Sequence, residues 1–158
     1  EIVSLEYEDL DFVTEGLKIN LKRSKTDQFG EGTIKGLPYS NGSQYCPVTS
    51  LKKWIDISNI SSGPLFRRFT KGSKLSKNRL TDQTVALLIK EYLKLAGIDS
   101  KNYSGHSLRS GFATSAADSG VEERSIMAMT GHKSTDMVRR YIKEANLFKN
   151  NALNKMKI

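Results

Sequence analysis

Two histidines, an arginine and a tyrosine form the pattern in this sequence with the clearest chemical potential. His106 and Arg109 lie three positions apart, and Tyr141 follows His132, the only other histidine, after nine positions. On a helix, residues three apart share a face, so an imidazole and a guanidinium there can grip the same phosphate oxygens. A tyrosine hydroxyl, with an ordinary pKa of about 10, becomes a nucleophile where positive charge favours the phenolate. The pattern therefore indicates phosphoryl transfer.

A lysine adds a candidate general acid to this set. Lys25 lies in the run Arg23-Ser24-Lys25-Thr26-Asp27, where a predicted strand ends and a hairpin turns. An ammonium group on such a tip can protonate a leaving oxygen. Blander interpretations stay open for each residue taken alone: a solvated Lys25, a polar His106 at a helix start, an exposed Arg109, and a Tyr141 that packs in a core or an interface.

The charge balance indicates a polyanionic partner. The 158 residues include 25 Lys and Arg against 17 Asp and Glu, which gives a net charge of +8. An excess of this size is typical of proteins that bind nucleic acid, although a basic surface without a partner is the alternative. The basic residues that would contact such a partner are the following: Arg23, Arg67, Arg68, Lys71, Lys74, Lys77, Arg79, Lys133, Arg139 and Arg140.

Composition excludes several other classes. Cys46 is the only cysteine, which rules out an internal disulfide and indicates a reducing compartment, so we expect a cytoplasmic protein. The two histidines are 26 positions apart and lack cysteine partners, so we expect neither a metal site nor a cofactor. No apolar run approaches the roughly 18 residues of a membrane span, and no signal peptide is visible.

The periodicity predicts a mostly helical α+β domain with one small antiparallel sheet near its start. Residues 1–10 are predicted as the tail of a helix, 12–39 as the sheet with its basic hairpin, and 61–80 as an irregular basic segment. Helices are predicted from Pro47 through Ile55, from Thr81 to Gly97, from Ser104 or Ser107 to Gly120, over 121–129, and from Ser134 through Tyr141. Phe148, Ala152, Leu153 and Met156 have helical spacing in a C-terminal tail over about 146–158.

With these residues in place, the chain resembles the tyrosine recombinases of the phage-integrase type. The run from Gly105 to Thr114 is similar to their His-x-x-Arg box, and Thr130-Gly131-His132-Lys133-Ser134 followed by Tyr141 is similar to their Gly-His and nucleophile segment. Ser24-Lys25-Thr26-Asp27 resembles their β-hairpin lysine, and Glu1 resembles the glutamate of their Arg-x-x-Glu box. The resemblance spans almost the whole chain and implies the fold of DNA breaking-rejoining enzymes.

The resemblance also implies a mechanism and partners. Tyr141 would attack a DNA phosphodiester and form a 3′-phosphotyrosyl link, Arg109, His106 and His132 would hold the phosphate, and Lys25 would protonate the departing 5′-oxygen. Neither a metal nor a cofactor takes part. The implied setting is a bacterial mobile element, with a homotetramer on nucleoid DNA and a possible monomer for this chain alone. Tails after the nucleophile often dock on a neighbouring subunit, whereas a helix on its own domain is the plainer alternative.

The beginning of the sequence gives rise to a further expectation. The chain starts at Glu1, inside an apolar-periodic segment, and the family's first catalytic arginine would lie three positions earlier. We therefore expect residues 1–158 to be a catalytic domain truncated at its N-terminus, without the DNA-clamping domain and weak or inactive in cleavage. Three other functions remain open: a DNA-binding regulator without catalysis, a relic of a mobile element, and a relaxing enzyme like the type IB topoisomerases.

Overall fold

The chain forms two compact units, residues Glu1–Val85 and Ala86–Ile158. The computed structural model describes residues 2–22, 32–40, 42–132, 134–146 and 152–156. Lys25, Glu1, Arg23, Lys133 and Phe148, which carry predictions made above, lie outside these residues. Each unit has its own buried cluster, so the two are described separately.

The N-terminal unit opens with two short 3₁₀ turns, Ile2–Ser4 and Tyr7–Asp9, where the sequence had indicated the tail of an α-helix. The prediction is wrong because the buried Asp9 carboxylate fixes the backbone in a turn. It accepts a hydrogen bond from the Glu6 amide at 2.9 Å and forms an ion pair with Lys22 at 2.7 Å. These bonds hold a tight turn, which leads directly into a strand.

A small antiparallel sheet follows, as predicted, and it has three strands. Its strands are β1 (Leu10–Val13), β2 (Gly16–Leu21) and β3 (Thr33–Pro38), with β2 in the centre. In this register Leu17 pairs with both Phe12 and Leu37. A Cβ on Gly16 would lie 2.0 Å from the Leu37 carbonyl oxygen, so only glycine fits at the start of β2.

Helix α1 (Pro47–Ser58) covers the sheet and completes the core of this unit. Pro47 occupies the first turn, where a missing amide costs nothing, as the sequence predicted. Leu17, Cys46 and Val48 are buried, and Leu51 packs against them. The helix ends at Asn59, which adopts a left-handed conformation.

The basic segment predicted to be irregular contains a second sheet. Strands β4 (Arg67–Phe69) and β5 (Leu75–Arg79) pair antiparallel, and the Thr70 amide donates to the Lys74 carbonyl at 2.9 Å across the turn. The sequence analysis missed this hairpin because Phe69 and Leu75 are its only paired apolar residues, which leaves almost no alternation to detect.

The C-terminal unit is helical and follows the predicted boundaries closely. Its helices are α2 (Asp82–Leu95, which begins in the first unit), α3 (Gly105–Asp118), α4 (Glu123–Thr130) and α5 (Thr135–Asn146), with a 3₁₀ turn at Ala152–Lys155. The hydroxyl of Thr81 accepts the Thr84 amide at 3.2 Å, and Ser104 caps α3. The predicted α+β class with mostly helical content is confirmed.

Helices α3, α4 and α5 share the core of this unit. Ala113, Ala117, Ile126 and Val138 are buried, and Tyr141 packs against them. The small residues of α3 allow the neighbouring helices to approach closely. The apolar face of α2 is only partly covered, since Leu88 and Tyr92 are exposed. Leu153 and Met156 of the tail are also exposed.

Among the described residues, no helix combines the length and the apolar character that crossing a membrane requires.

Candidate active site

Four predicted site residues lie on the packed helices of the C-terminal unit. His106 and Arg109 are in the first turns of α3, His132 follows the end of α4, and Tyr141 is on α5. Lys25 and Glu1, the other two predicted members, lie outside the described residues.

The start of α3 is fixed by a reciprocal cap. Ser104 accepts the amide of Ser107, whose hydroxyl accepts the Ser104 amide at 3.0 Å. This arrangement satisfies two amides of the first turn and places His106 and Arg109 on one face near the helix N-terminus. The partial positive charge at a helix N-terminus favours anions.

Arg109 has a buried donor atom that the described residues leave unpaired. Its Nε is buried, and no hydrogen-bond partner for this atom exists within the part of the chain that the structure describes. A buried donor without an acceptor is costly, typically about 1–3 kcal/mol. An anion that accepts from this guanidinium would remove the penalty, which is the chemistry predicted for Arg109.

The loop after α4 holds His132 in a defined orientation. Gly131 ends the helix with a φ of 68°, a left-handed conformation that glycine adopts without strain. The half-buried His132 ring places Nδ1 2.7 Å from the Thr130 hydroxyl, and this hydroxyl lies 2.7 Å from the Ile126 carbonyl oxygen.

Electrostatics connect His132 to both residues of α3. Burial lowers the pKa of His132, and its electrostatic interactions with Arg109 and His106 lower it further. The imidazole is therefore neutral at pH 7, and the three side chains lie within electrostatic reach of one another. A bound phosphate would supply the opposite charge and raise the pKa of His132.

Tyr141 joins this group through its hydroxyl. The phenol donates to the Ser110 hydroxyl at 3.2 Å, and the ring centroid is 6.3 Å from that of His132. The ring is half-buried against the core, while its oxygen lies beside the residue that follows Arg109. The Tyr141 ring therefore packs against the core, as the plainer interpretation of this residue has it. Its hydroxyl still has access to Arg109 and the two histidines.

Sequence reasoning missed Ser110 and Thr130 as partners of site residues. In the sequence, Ser110 belongs to the run that is similar to the His-x-x-Arg box, and Thr130 belongs to the Thr-Gly-His run. Their positions next to Arg109 and two residues before His132 were the available signals, but neither reveals which hydroxyl meets which ring.

The predicted DNA contacts divide into two groups. Arg67 donates to the carbonyls of Pro64 and Ser62, and Arg79 donates to the carbonyls of Val3 and Leu5. These guanidinium groups therefore organise the N-terminal unit. Another basic residue, Arg139, pairs with Glu123 at 3.1 Å but stays largely exposed. The exposed basic residues of the second group are Arg68, Lys71, Lys74, Lys77 and Arg140.

A metal centre has no obvious place in the part of the chain that is described. No cluster of three or more His, Cys, Asp or Glu side chains occurs among those residues.

The fold is that of a known class of recombinases. The chain superposes over its full length on 52% of the chain in a crystal structure of XerA recombinase, with a TM-score of 0.69 and 24% sequence identity. The family model of the phage integrase family matches residues 1–147, and the chain belongs to that family.

Curated relatives extend this similarity. An integrase/recombinase xerD homolog from Selenomonas ruminantium is 47% identical over 156 residues, covering 99% of this chain and 46% of the relative. Tyrosine recombinase XerA of Pyrococcus horikoshii is 31% identical over 90 residues, covering 57% of this chain and 30% of the relative. The chain therefore spans about half, or less, of the length of these relatives.

Proposed function

We propose that residues 1–158 form the catalytic domain of a site-specific DNA recombinase that cuts and rejoins strands through a 3′-phosphotyrosyl intermediate. The observation that carries this proposal is the placement of the Tyr141 hydroxyl beside the first turns of α3, where Arg109 has a buried, unpartnered Nε. Membership of the phage integrase family supports the same reaction.

Each side chain has a role in the proposed step. The Tyr141 oxygen attacks the phosphorus, forms a new P–O bond and displaces the 5′-oxygen, while its proton passes to His106. Arg109 binds the non-bridging oxygens, and His132 donates a hydrogen bond to the phosphate. Lys25 protonates the leaving 5′-oxygen, and a 5′-hydroxyl of the partner strand reverses the reaction. Charge stabilisation and positioning supply the catalysis, so no cofactor is required.

The assembly is part of the proposal. Strand exchange needs two duplexes, so we expect a homotetramer on DNA and a monomer for the free chain. The substrate is double-stranded DNA, held mainly through phosphates, in the nucleoid of a bacterial cell. The xerD homolog from Selenomonas ruminantium has about twice the length of this chain. We therefore expect the 158 residues alone to cleave DNA slowly.

Covalent capture tests the nucleophile. We expect the chain to form a denaturation-resistant adduct with a labelled library of nicked duplexes, in which the short 5′-hydroxyl strand diffuses away and traps the intermediate. Tyr141→Phe should abolish the adduct, because it removes the attacking oxygen, yet leave simple DNA binding within about twofold. Gel electrophoresis under denaturing conditions measures the adduct, and sequencing of the captured DNA gives the preferred site.

Two matched variants control the experiment. Tyr92→Phe removes the hydroxyl of an exposed tyrosine on α2, and Arg124→Ala removes an exposed arginine on α4. Both should form adducts like the parent, whereas Arg109→Ala should lose them. Unchanged capture by Tyr141→Phe would disprove the assignment of the nucleophile. Capture with supercoil relaxation but no strand exchange would favour a topoisomerase.

A further inference from the structure

The hydrogen bonds of Thr130 determine which nitrogen of His132 carries the proton. The Thr130 hydroxyl lies 2.7 Å from both the Ile126 carbonyl oxygen and His132 Nδ1. A carbonyl only accepts, so the single hydroxyl hydrogen is donated to Ile126. The hydroxyl oxygen must then accept from His132, and Nδ1 must carry a hydrogen. The neutral ring is therefore the Nδ1–H tautomer.

This tautomer leaves Nε2 without a hydrogen. Among the described residues, none forms a hydrogen bond with Nε2. In the neutral ring this atom presents a lone pair, which repels a phosphate oxygen instead of binding it. Only the imidazolium offers a hydrogen at Nε2 while keeping the bond to Thr130.

We propose that Thr130 is a positioning residue that makes phosphate binding by His132 depend on the uptake of one proton. The binding of phosphate by His132 rests on the proposed function, whereas the tautomer of His132 does not.

The surrounding charges give the coupling its direction. From α3, Arg109 and His106 face His132 and disfavour a positive charge on it, and from α5 the ring of Tyr141 lies near it. In its own segment, His132 follows the C-terminal end of α4, and the partial negative charge of that helix end favours an imidazolium. A phosphate bound beside Arg109 and His132 supplies negative charge, which favours the imidazolium form of His132. The proton is therefore taken from solvent as the phosphate binds.

Nuclear magnetic resonance of the labelled imidazoles tests the tautomer without any enzymatic activity. Long-range proton–nitrogen spectra at about pH 8, which is above the lowered pKa of His132, should show His132 protonated at Nδ1 and bare at Nε2. His106→Gln removes the only other histidine signal and completes the assignment. Thr130→Val, which keeps the shape but loses the acceptor, should move His132 towards the Nε2–H tautomer, and Thr130→Ser should restore it.

A matched threonine controls for helix effects. Thr114 on α3 also donates to the carbonyl four residues earlier, at 3.0 Å, but forms no hydrogen bond with a histidine of the described residues. Thr114→Val should leave the His132 spectrum unchanged. An Nε2–H tautomer in the parent, or the same spectrum for Thr130→Val and the parent, would overturn the proposal.

Proton uptake on binding tests the functional half. Calorimetry of a nicked duplex with the Tyr141→Phe protein, in two buffers of different ionisation enthalpy, counts the protons taken up. We expect close to one more proton than in Tyr141→Phe/Thr130→Val, and an affinity that falls by up to about tenfold per pH unit above the pKa of His132. Equal uptake by the two proteins would overturn the coupling. Because adducts are measured separately, failure of the recombinase proposal would leave the tautomer result standing.

Discussion

The resting position of Tyr141 has a kinetic consequence. Its phenol donates to Ser110 at 3.2 Å, and such a bond stabilises the side chain by about 0.5–1.5 kcal/mol. An attack that moves the oxygen onto phosphorus must first break this bond. We expect Ser110→Ala to speed single-turnover adduct formation by up to about tenfold, since 1.36 kcal/mol corresponds to a factor of ten.

Ser125→Ala on α4, an exposed serine, is the control and should match the parent. Slower capture by Ser110→Ala would mean that Ser110 holds the phenol in the attacking position, contrary to this prediction.

At this scale the sequence indicates which side chains are candidates for the reaction, but not which hydroxyl groups bond to them. His106 and Arg109 were paired by helical spacing alone. The bonds of Ser110 to Tyr141 and of Thr130 to His132 depend on how α5 packs against α3 and on side-chain rotamers, which no spacing rule contains. The catalytic and DNA-binding roles of all these residues remain predictions, and Lys25, Glu1, Arg23 and Lys133 also lie outside the described residues.

Among the structural elements, β5 ends in an arginine that joins distant parts of the N-terminal unit. Arg79 donates to the carbonyls of Val3 and Leu5 at 2.6 and 3.3 Å and pairs with Glu6 at 3.0 Å. We expect Arg79→Ala to lower the free energy of unfolding by about 1–2 kcal/mol, because partly buried acceptors lose a charged donor. Urea unfolding monitored by fluorescence measures the change.

Arg68→Ala, which removes an exposed arginine from β4, is the comparison and should change the free energy of unfolding by less than about 0.5 kcal/mol. Equal effects of the two substitutions would contradict the structural role of Arg79.

The turn and second strand of the β4–β5 hairpin present three exposed lysines, Lys71, Lys74 and Lys77. If each neutralises one phosphate, replacing all three by alanine should weaken DNA binding and lower the slope of log affinity against log salt by about 0.9 per contact. Titrations of a labelled duplex at several salt concentrations measure this slope. As a control, alanine replaces Lys53, Lys90 and Lys94, which removes the same amount of charge. An equal loss of slope in this control would mean that the hairpin has no special role in DNA binding.

The helical elements were largely predictable and the short strands were not. Helices α3, α4 and α5 carry caps and breakers, such as Ser104 and Gly131, that follow from local chemistry. The strands β1, β4 and β5 are short, and they form because distant residues pair with them. Their sequences therefore carry too little alternation to separate them from loops or helix ends.

For the whole molecule, one buried carboxylate predicts sensitivity to acid. Burial raises the pKa of Asp9, but the hydrogen bonds from Lys22 and the Glu6 amide outweigh it, so the pKa lies below its ordinary value. The unfolded chain then binds more protons in acid, and the stability that Asp9 contributes is present at neutral pH and lost as pH falls below about 4.

We expect Asp9→Asn to be less stable than the parent at pH 7 and to lose less stability between about pH 4 and about pH 2.5. Chemical denaturation at each pH measures this difference. Asp11→Asn, at an exposed position of β1, should follow the parent; a parallel loss in the parent and Asp9→Asn would contradict the role of Asp9.

Trp54 makes the two units separable by ordinary spectroscopy. It is the only tryptophan of the chain, it belongs to the N-terminal unit, and its indole nitrogen donates to the Leu65 carbonyl at 3.0 Å. Indole emission therefore reports the melting of that unit, while far-ultraviolet circular dichroism is dominated by α2 to α5. Coincident melting curves would identify one cooperative block, and displaced curves would give each half its own stability without any engineered label.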